Sequence, residues 1–248
     1  PMATYLNAGI ALSTLMGELI EERRKNPTDD LTSKLVHNNL PEDLLTPAEI
    51  TSFFVLLAVA GNDTTRTAIS HGVNLLSKNP DQRAIWQADV DGVTQTAVEE
   101  IVRVASPVTF MRRTATGDVT LAGEQFHEGD KFVMFYGAAN RDPRVFDEPD
   151  SFVVGRKDLC QREPRGQYRA DGLPSGIACG MGKPSVHPAV PKERPRSIYA
   201  ITTDVAVTAS TMLLDAFPNT RLAADAEPVI RSLRLGEMHT CWHLPVTV

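Results

Sequence analysis

One uninterrupted stretch, residues 46 to 79, limits what this chain can become more than any other feature. It opens on Thr46-Pro47-Ala48-Glu49, a capping box with proline at the first helical position. No decisive breaker follows until Asn79-Pro80, so the pattern predicts a single helix of about thirty residues, roughly 45 Å long at 1.5 Å per residue. A helix of that length crosses a whole domain, and the other elements must be arranged about it. Its middle, Phe53-Phe54-Val55-Leu56-Leu57-Ala58-Val59-Ala60, is apolar on every side, which predicts burial all round. The longest apolar run ends at Gly61 and is too short to span a bilayer.

Further helical patterns flank this one. Residues 3–25 carry apolar positions at helical spacing and end in Glu21-Glu22-Arg23-Arg24-Lys25 before Asn26-Pro27, a basic last turn with a proline stop. A short helix is predicted from Asp29 to Val36, two more over 80–90 and 93–105, and a last one over 197–217. Between them lie β-rich runs, Val108-Thr109-Phe110, Val119-Thr120-Leu121 and Lys131-Phe132-Val133-Met134-Phe135. The turns Thr116-Gly117-Asp118 and Glu128-Gly129-Asp130 separate them, which predicts a small antiparallel sheet. Residues 137–195 read as irregular, with a proline- and glycine-rich loop over 157–196, and short strands close the chain. The fold class is mainly α with a small antiparallel β portion.

Composition removes several classes of function. The 248 residues carry a formal charge of −6, a poor match to a protein whose main business is duplex nucleic acid. The three cysteines, Cys160, Cys179 and Cys241, are too widely spaced for a disulfide framework or a CxxC pair, which points to a reducing compartment. Pro1-Met2-Ala3-Thr4 has no basic-then-apolar signal pattern, so the expected location is the cytoplasm.

Two clusters carry chemistry. Ala60-Gly61-Asn62-Asp63-Thr64-Thr65 places an acid and hydroxyls inside the long helix, where they are costly to bury without partners. Gly61 costs roughly 1 kcal/mol of helix propensity, and the group predicts a local helix distortion beside a polar pocket. An acid next to a hydroxyl in a dry site makes a proton relay; the alternative is that Asp63 and Thr64 satisfy a buried bend. In Glu99-Glu100-Ile101-Val102-Arg103, Glu100 and Arg103 share a helix face and can pair. Taken alone, that pair reads as a solvated surface bridge worth at most ~1 kcal/mol.

Taken together and in this order, these motifs resemble the cytochromes P-450. Ala60 to Thr65 resembles the family's oxygen-activating helix, and Glu100-Ile101-Val102-Arg103 its ExxR pair. Pro107-Val108-Thr109-Phe110-Met111-Arg112-Arg113 is similar to the strand whose arginine holds a haem propionate. Ala138-Ala139-Asn140-Arg141-Asp142-Pro143-Arg144-Val145-Phe146, with Pro149-Asp150-Ser151-Phe152, is similar to the bacterial meander. The resemblance runs from about residue 3 to 156, returns weakly over 197–248, and is nearest to actinobacterial members that oxidise sterol or lipid side chains. It implies one P-450-like domain over 1–248, corresponding to the C-terminal portion of the family fold without its N-terminal half.

From the resemblance, Asp63 and Thr64 are the proton-delivering residues beside Gly61, and Arg113 is the propionate partner with Arg112 as fallback. Arg141 or Arg156 is the third member of the ExxR lock, and Cys179 is the thiolate ligand of haem b. The resemblance further implies a hydrophobic lipid or sterol substrate and a ferredoxin-type electron donor. The cysteine stretch departs from the family. The positions that the family fills with Phe, Gly and a basic residue before the cysteine, and Gly after it, are Gly172, Ser175, Ile177 and Met181. A run from Lys183 to Pro195 then precedes the last helix. Cys160 and Cys241 lack flanking glycines, and His187 sits beside a proline. His239 and His243 bracket Cys241-Trp242 without metal-ligand spacing. The alternative reading is a haem-less protein of P-450 fold, a binding or interaction module or a catalyst of a non-redox step. Without the N-terminal half, apolar surface on the long helix calls for cover by a homodimer or a partner chain.

Overall fold

The computed structural model describes residues 2–37, 45–157, 198–233 and 238–247. The chain divides into two units, residues 1–63 and 64–248.

The first unit holds α1 (Met2–Lys25), α2 (Leu31–Val36) and the first half of α3 (Pro47–Lys78). The capping box forms as the sequence predicts. Glu49 N–H donates to Thr46 Oγ1 at 3.2 Å, while Glu49 Oε2 accepts from the Thr46 amide at 2.8 Å and its hydroxyl at 2.7 Å. Asp30 caps α2 by accepting from Ser33 N–H at 2.7 Å and from Arg23 Nε at 2.6 Å, which ties the short helix to the basic end of α1. A small core of Ile20, Ile50 and Phe54 closes the unit, with Met16, Leu35, Val36 and Leu57 against it.

Residues 53–60 are not buried all round. Phe54 is buried, but Leu56 is 65% exposed and Phe53 41% exposed, because the small core seats one face of α3. Nor does the helix distort at Gly61. It stays α-helical through residue 78, and a Cβ at Gly61 would meet nothing within 4 Å. One glycine costs about 1 kcal/mol, which a long capped helix outweighs.

The Asp30 carboxyl is held well below the usual range, first by its bond from Arg23 and then by the Ser33 amide. The Glu49 carboxyl is also lowered, by the Thr46 amide and hydroxyl. Both folded-state values lie below the unfolded ones. Their stabilisation is therefore present above about pH 4 and lost as pH falls through the folded-state values. The melting temperature of the wild-type chain should fall between pH 6 and strong acid more steeply than that of Asp30→Asn, the two converging at the acid end. Parallel curves would show that the cap adds nothing.

The second unit holds the rest of α3, α4 (Pro80–Ala88), α5 (Val90–Ala105), α6 (Tyr136–Ala139) and α7 (Ile198–Ala216). Asp89 ends α4 and begins α5, accepting from Gly92 N–H at 2.9 Å. A Cβ at Gly92 would lie 2.3 Å from the Asp89 carboxylate, so the close cap requires glycine there. The core joins Leu76 of α3, Trp86 of α4, Ala97, Val98 and Ile101 of α5 and Ala206 and Leu214 of α7 to Phe152 and Val154.

Among the described residues the β portion is four separate two-stranded antiparallel sheets rather than one. β1 (Phe110–Thr114) pairs with β4 (Lys131–Phe135), β2 (Val119–Leu121) with β3 (Glu124–Phe126), β5 (Arg221–Leu222) with β8 (Val246–Thr247), and β6 (Val229–Leu233) with β7 (Met238–His243). The β2–β3 turn, Ala122-Gly123, takes φ of +52° and +89°, a hairpin turn whose alanine hides it from a sequence reading. Among the described residues, no helix is long and apolar enough to cross a membrane.

Candidate functional site

The ordered polar centre of the second unit is built on α5. Glu100 and Arg103 lie one helical turn apart and both are wholly buried, not solvated at the surface as the pair alone would suggest. Arg103 Nε donates to Glu100 Oε2 at 2.6 Å and Nη2 to Oε1 at 2.9 Å, a two-point charge-assisted pair. The remaining Arg103 donors reach three backbone carbonyls. Nη1 takes those of Asn140 and Pro149, both at 2.7 Å, and Nη2 that of Ser151 at 3.0 Å. The Phe146 ring lies 5.1 Å from the guanidinium carbon, a cation–π contact.

Arg156 is the third member of this lock. Its Nε donates to Glu100 Oε1 at 3.1 Å, and its other nitrogens donate to the carbonyls of Asp147 at 2.6 Å, Ser151 at 3.1 Å and Glu148 at 3.2 Å. Val153 N–H adds a bond to the same Glu100 oxygen at 3.0 Å. Arg141, the other candidate, donates instead to the Val104 carbonyl at 2.6 Å and lies 3.4 Å from the Asp150 carboxylate. Two buried guanidiniums against one carboxylate leave a net positive cluster, and the ring of carbonyl dipoles from the meander compensates it. The cluster is nearly closed to solvent, Glu100 and Arg103 being 0% and Arg156 6% exposed. Its work is to clamp residues 140–156 onto α5.

Ser106 and Asn140 complete the clamp, and neither was assigned a role from sequence. Ser106 ends α5 in the left-handed region at φ 41°, donates from Oγ to the Arg103 carbonyl at 2.9 Å and accepts from Asn140 Nδ2 at 2.9 Å. A left-handed serine leaves no sequence signature, whereas Asn140 was visible within its motif but without a partner.

The residues predicted to deliver protons sit further along α3. Gly61 and Asn62 are exposed, while Asp63 and Thr64 are half-buried at adjacent helical positions. Arg112 and Arg113 are both exposed on β1, opposite Val133 and Phe132 of β4, so they project to opposite faces of the two-stranded sheet. Arg113 Nη1 donates to the Arg112 carbonyl at 2.9 Å. Among the described residues its other N–H donors have no acceptor, so this exposed guanidinium fits a carboxylate such as a haem propionate.

Cys241 does not fit an iron ligand. It is a buried free thiol with a long bond to the His243 carbonyl, and burial pushes its pKa up, away from the thiolate that metal ligation needs. His243 is exposed on the same strand. Cys179, Cys160 and His187 lie outside the described residues, as does the loop over 158–196.

Over 138 residues the chain is 53% identical to a methyl-branched lipid omega-hydroxylase of Mycobacterium tuberculosis, covering 56% of this chain and 32% of that protein. It is 42% identical over 139 residues to a steroid C26-monooxygenase of Mycolicibacterium smegmatis, covering 56% and 32%. Among solved structures, a Mycobacterium marinum cytochrome P-450 in complex with pseudoionone superimposes with a TM-score of 0.77 at 34% identity, over 100% of this chain and 53% of that one. The chain thus spans about a third of the length of these curated relatives and about half that of the solved structure. The family model for cytochrome P-450 matches residues 4–158, a span that includes nearly all of α1, the whole of α3 and α5 and the clamped meander; the chain belongs to the cytochrome P-450 family.

Proposed function

We propose that this chain is the C-terminal, cofactor-side portion of a haem-thiolate monooxygenase acting on a hydrophobic lipid- or sterol-like molecule. The observation that carries the reading is the fully bonded Glu100–Arg103–Arg156 clamp, inside the span matched by the family model. The names of the lipid hydroxylase and the steroid monooxygenase support the substrate class. In this reading residues 1–248 are one P-450-like domain, and 157–196 is a divergent form of the loop that carries the iron ligand.

Haem held through a cysteine thiolate supplies the oxygen-cleaving chemistry. The chain's own residues do the rest. Cys179 is the ligand, Arg113 holds a propionate with Arg112 as substitute, and Asp63 passes a proton to Thr64 on the same helix, beside the open space at Gly61. A ferredoxin-type protein supplies electrons. The exposed Leu6, Ile10, Phe53 and Leu56 of the first unit support a second copy or a partner chain as their cover. Light scattering that finds a clean monomer at micromolar concentration would remove that part of the proposal.

The haem-less alternative has one observation in its favour, since the family match stops at residue 158, ahead of Cys179. Absorption separates the two. The protein expressed with ample haem should show a Soret band that shifts on reduction under carbon monoxide. Cys179→Ser should abolish the thiolate signature, while Cys160→Ser and Cys241→Ser leave it. Asp63→Asn should keep haem and slow turnover about a hundredfold, because proton delivery is lost and iron binding is not. Wild-type protein that binds no haem at any stoichiometry would defeat the monooxygenase reading.

A further inference from the structure

In the second unit, α3, α4, α5 and α7 leave a gap of about 30 Å³ in their shared core, room for one or two water-sized molecules. Val73, Leu76, Trp86, Ile101, Leu214 and Phe217 make most of its wall. The packing about it is otherwise tight, since a Cβ at Gly72 would lie 2.9 Å from Ile101 Cδ1. Nothing with a hydrocarbon tail fits such a gap, and an occupant must be of about diatomic size.

The polar groups on the wall are turned to other partners. Trp86 Nε1 donates to Thr94 Oγ1 at 2.7 Å, and the Thr220 hydroxyl to the Phe217 carbonyl at 2.9 Å. Arg83, among the described residues the one charged side chain on the wall, donates from Nη2 to the Thr220 carbonyl. Its Nε–H is buried without an acceptor but closed to a water-sized molecule, so it offers an occupant no bond. What remains is the Ser210 hydroxyl and the terminal nitrogens of Arg83, on a wall that is mostly hydrocarbon. A water held there surrenders hydrogen bonds that it makes in bulk. A molecule with no hydrogen-bonding needs surrenders none, and it restores the dispersion contacts that a gap denies its lining.

We infer that this gap binds one small apolar gas molecule, and that dioxygen is its natural occupant. The choice of dioxygen rests on the monooxygenase reading, in which that gas is the co-substrate; the wall's preference for an apolar gas does not. Ile69, also on the wall, stands five residues beyond Thr64 on α3, about 7.5 Å along the helix axis. Oxygen held here is therefore stored a turn and a half from the threonine proposed to deliver protons.

Methyl NMR spectra of the 248-residue chain under xenon and under oxygen pressure test the inference, xenon as a diamagnetic probe and oxygen as the paramagnetic ligand itself. Xenon should shift the methyl resonances of Val73, Leu76, Ile101 and Leu214 saturably, while those of Ile20 and Ile50 in the first unit's core stay in place. The same four residues should show the largest paramagnetic effects under oxygen. Ser210→Ala removes the hydroxyl and widens the gap, and it should keep xenon binding. Ser210→Leu, which fills the gap from α7, should abolish it, and Val73→Leu should do the same from α3 if Ser210→Leu fails to fold. Loss of xenon binding in Ser210→Ala, binding that survives both filling variants, or gas effects spread evenly over both cores would overturn the inference. Xenon shifts with no matching oxygen effect would overturn the assignment of dioxygen. Neither measurement needs haem. Protein that binds no haem yet passes this test defeats only the monooxygenase reading, and protein that binds haem and fails it defeats only this inference.

Discussion

Arg103→Ala is expected to yield insoluble or molten protein. The side chain is wholly buried and makes five hydrogen bonds, two to Glu100 and three to carbonyls of residues 140–151. Removing it leaves Glu100 with one guanidinium instead of two and takes the donor from the carbonyls of Asn140 and Pro149, while the Ser151 carbonyl keeps only its bond from Arg156. Breaking a buried pair in this way costs roughly 3–5 kcal/mol, a large share of the 5–15 kcal/mol that holds an ordinary domain. Arg103→Lys should rescue poorly, since an ammonium restores the charge but cannot span carboxylate and carbonyls in one plane. Arg144→Ala is the control, because its pair with Asp142 is at the surface with the arginine side chain 86% exposed, and its melting temperature should match wild type. Far-UV and near-UV circular dichroism would read the outcome. A soluble Arg103→Ala protein with an unchanged melting temperature would show that the clamp does not hold the fold.

Trp86→Ala should be nearly as damaging, for a different reason. Trp86 is 0% exposed at the centre of the second unit's core, and its Nε1 donates to Thr94 Oγ1 at 2.7 Å. Truncation removes most of the contact between α4 and that core, at a cost of about 3–5 kcal/mol. Trp86→Phe keeps most of the volume and loses the hydrogen bond, so about 1–2 kcal/mol is expected. Thr94 keeps its bond to the Val90 carbonyl in both variants, which confines the difference to the indole. Urea denaturation would measure all three proteins. A cost below about 1 kcal/mol for Trp86→Ala would mean that the core has refilled the space.

Most of the secondary structure was legible in the residues. The capping box at Thr46, the Pro47 start and the Asn79-Pro80 stop predicted α3 to within a residue of its observed bounds, because caps and proline act locally. The other predicted helices were found as well, α2 and α4 to within two residues and α5 to within three. What local signals did not supply was partnership. The β-rich runs were visible, but not that they form separate two-stranded sheets or that β3 exists. Hydrophobicity marked Phe53 to Ala60 as buried, yet burial depends on what packs alongside, and only Phe54 of that run is buried.

The site divides in the same way. Glu100 and Arg103 were legible as a pair from their spacing alone. Whether they lay at the surface or at the centre was decided by residues 140–156 folding over them, a contact between positions up to 56 residues apart. The choice of Arg156 over Arg141 rested on the same fold-back, since both arginines are close in sequence and only the chain path brings one guanidinium to Glu100. Helix boundaries and the motif order are properties of the sequence by itself, because they rest on interactions within a few residues. The buried charge cluster, the carbonyls that satisfy it and the unpaired donor of Arg83 are properties of the tertiary structure, because backbone acceptors carry no side-chain identity and desolvation exists only once distant segments have closed over them.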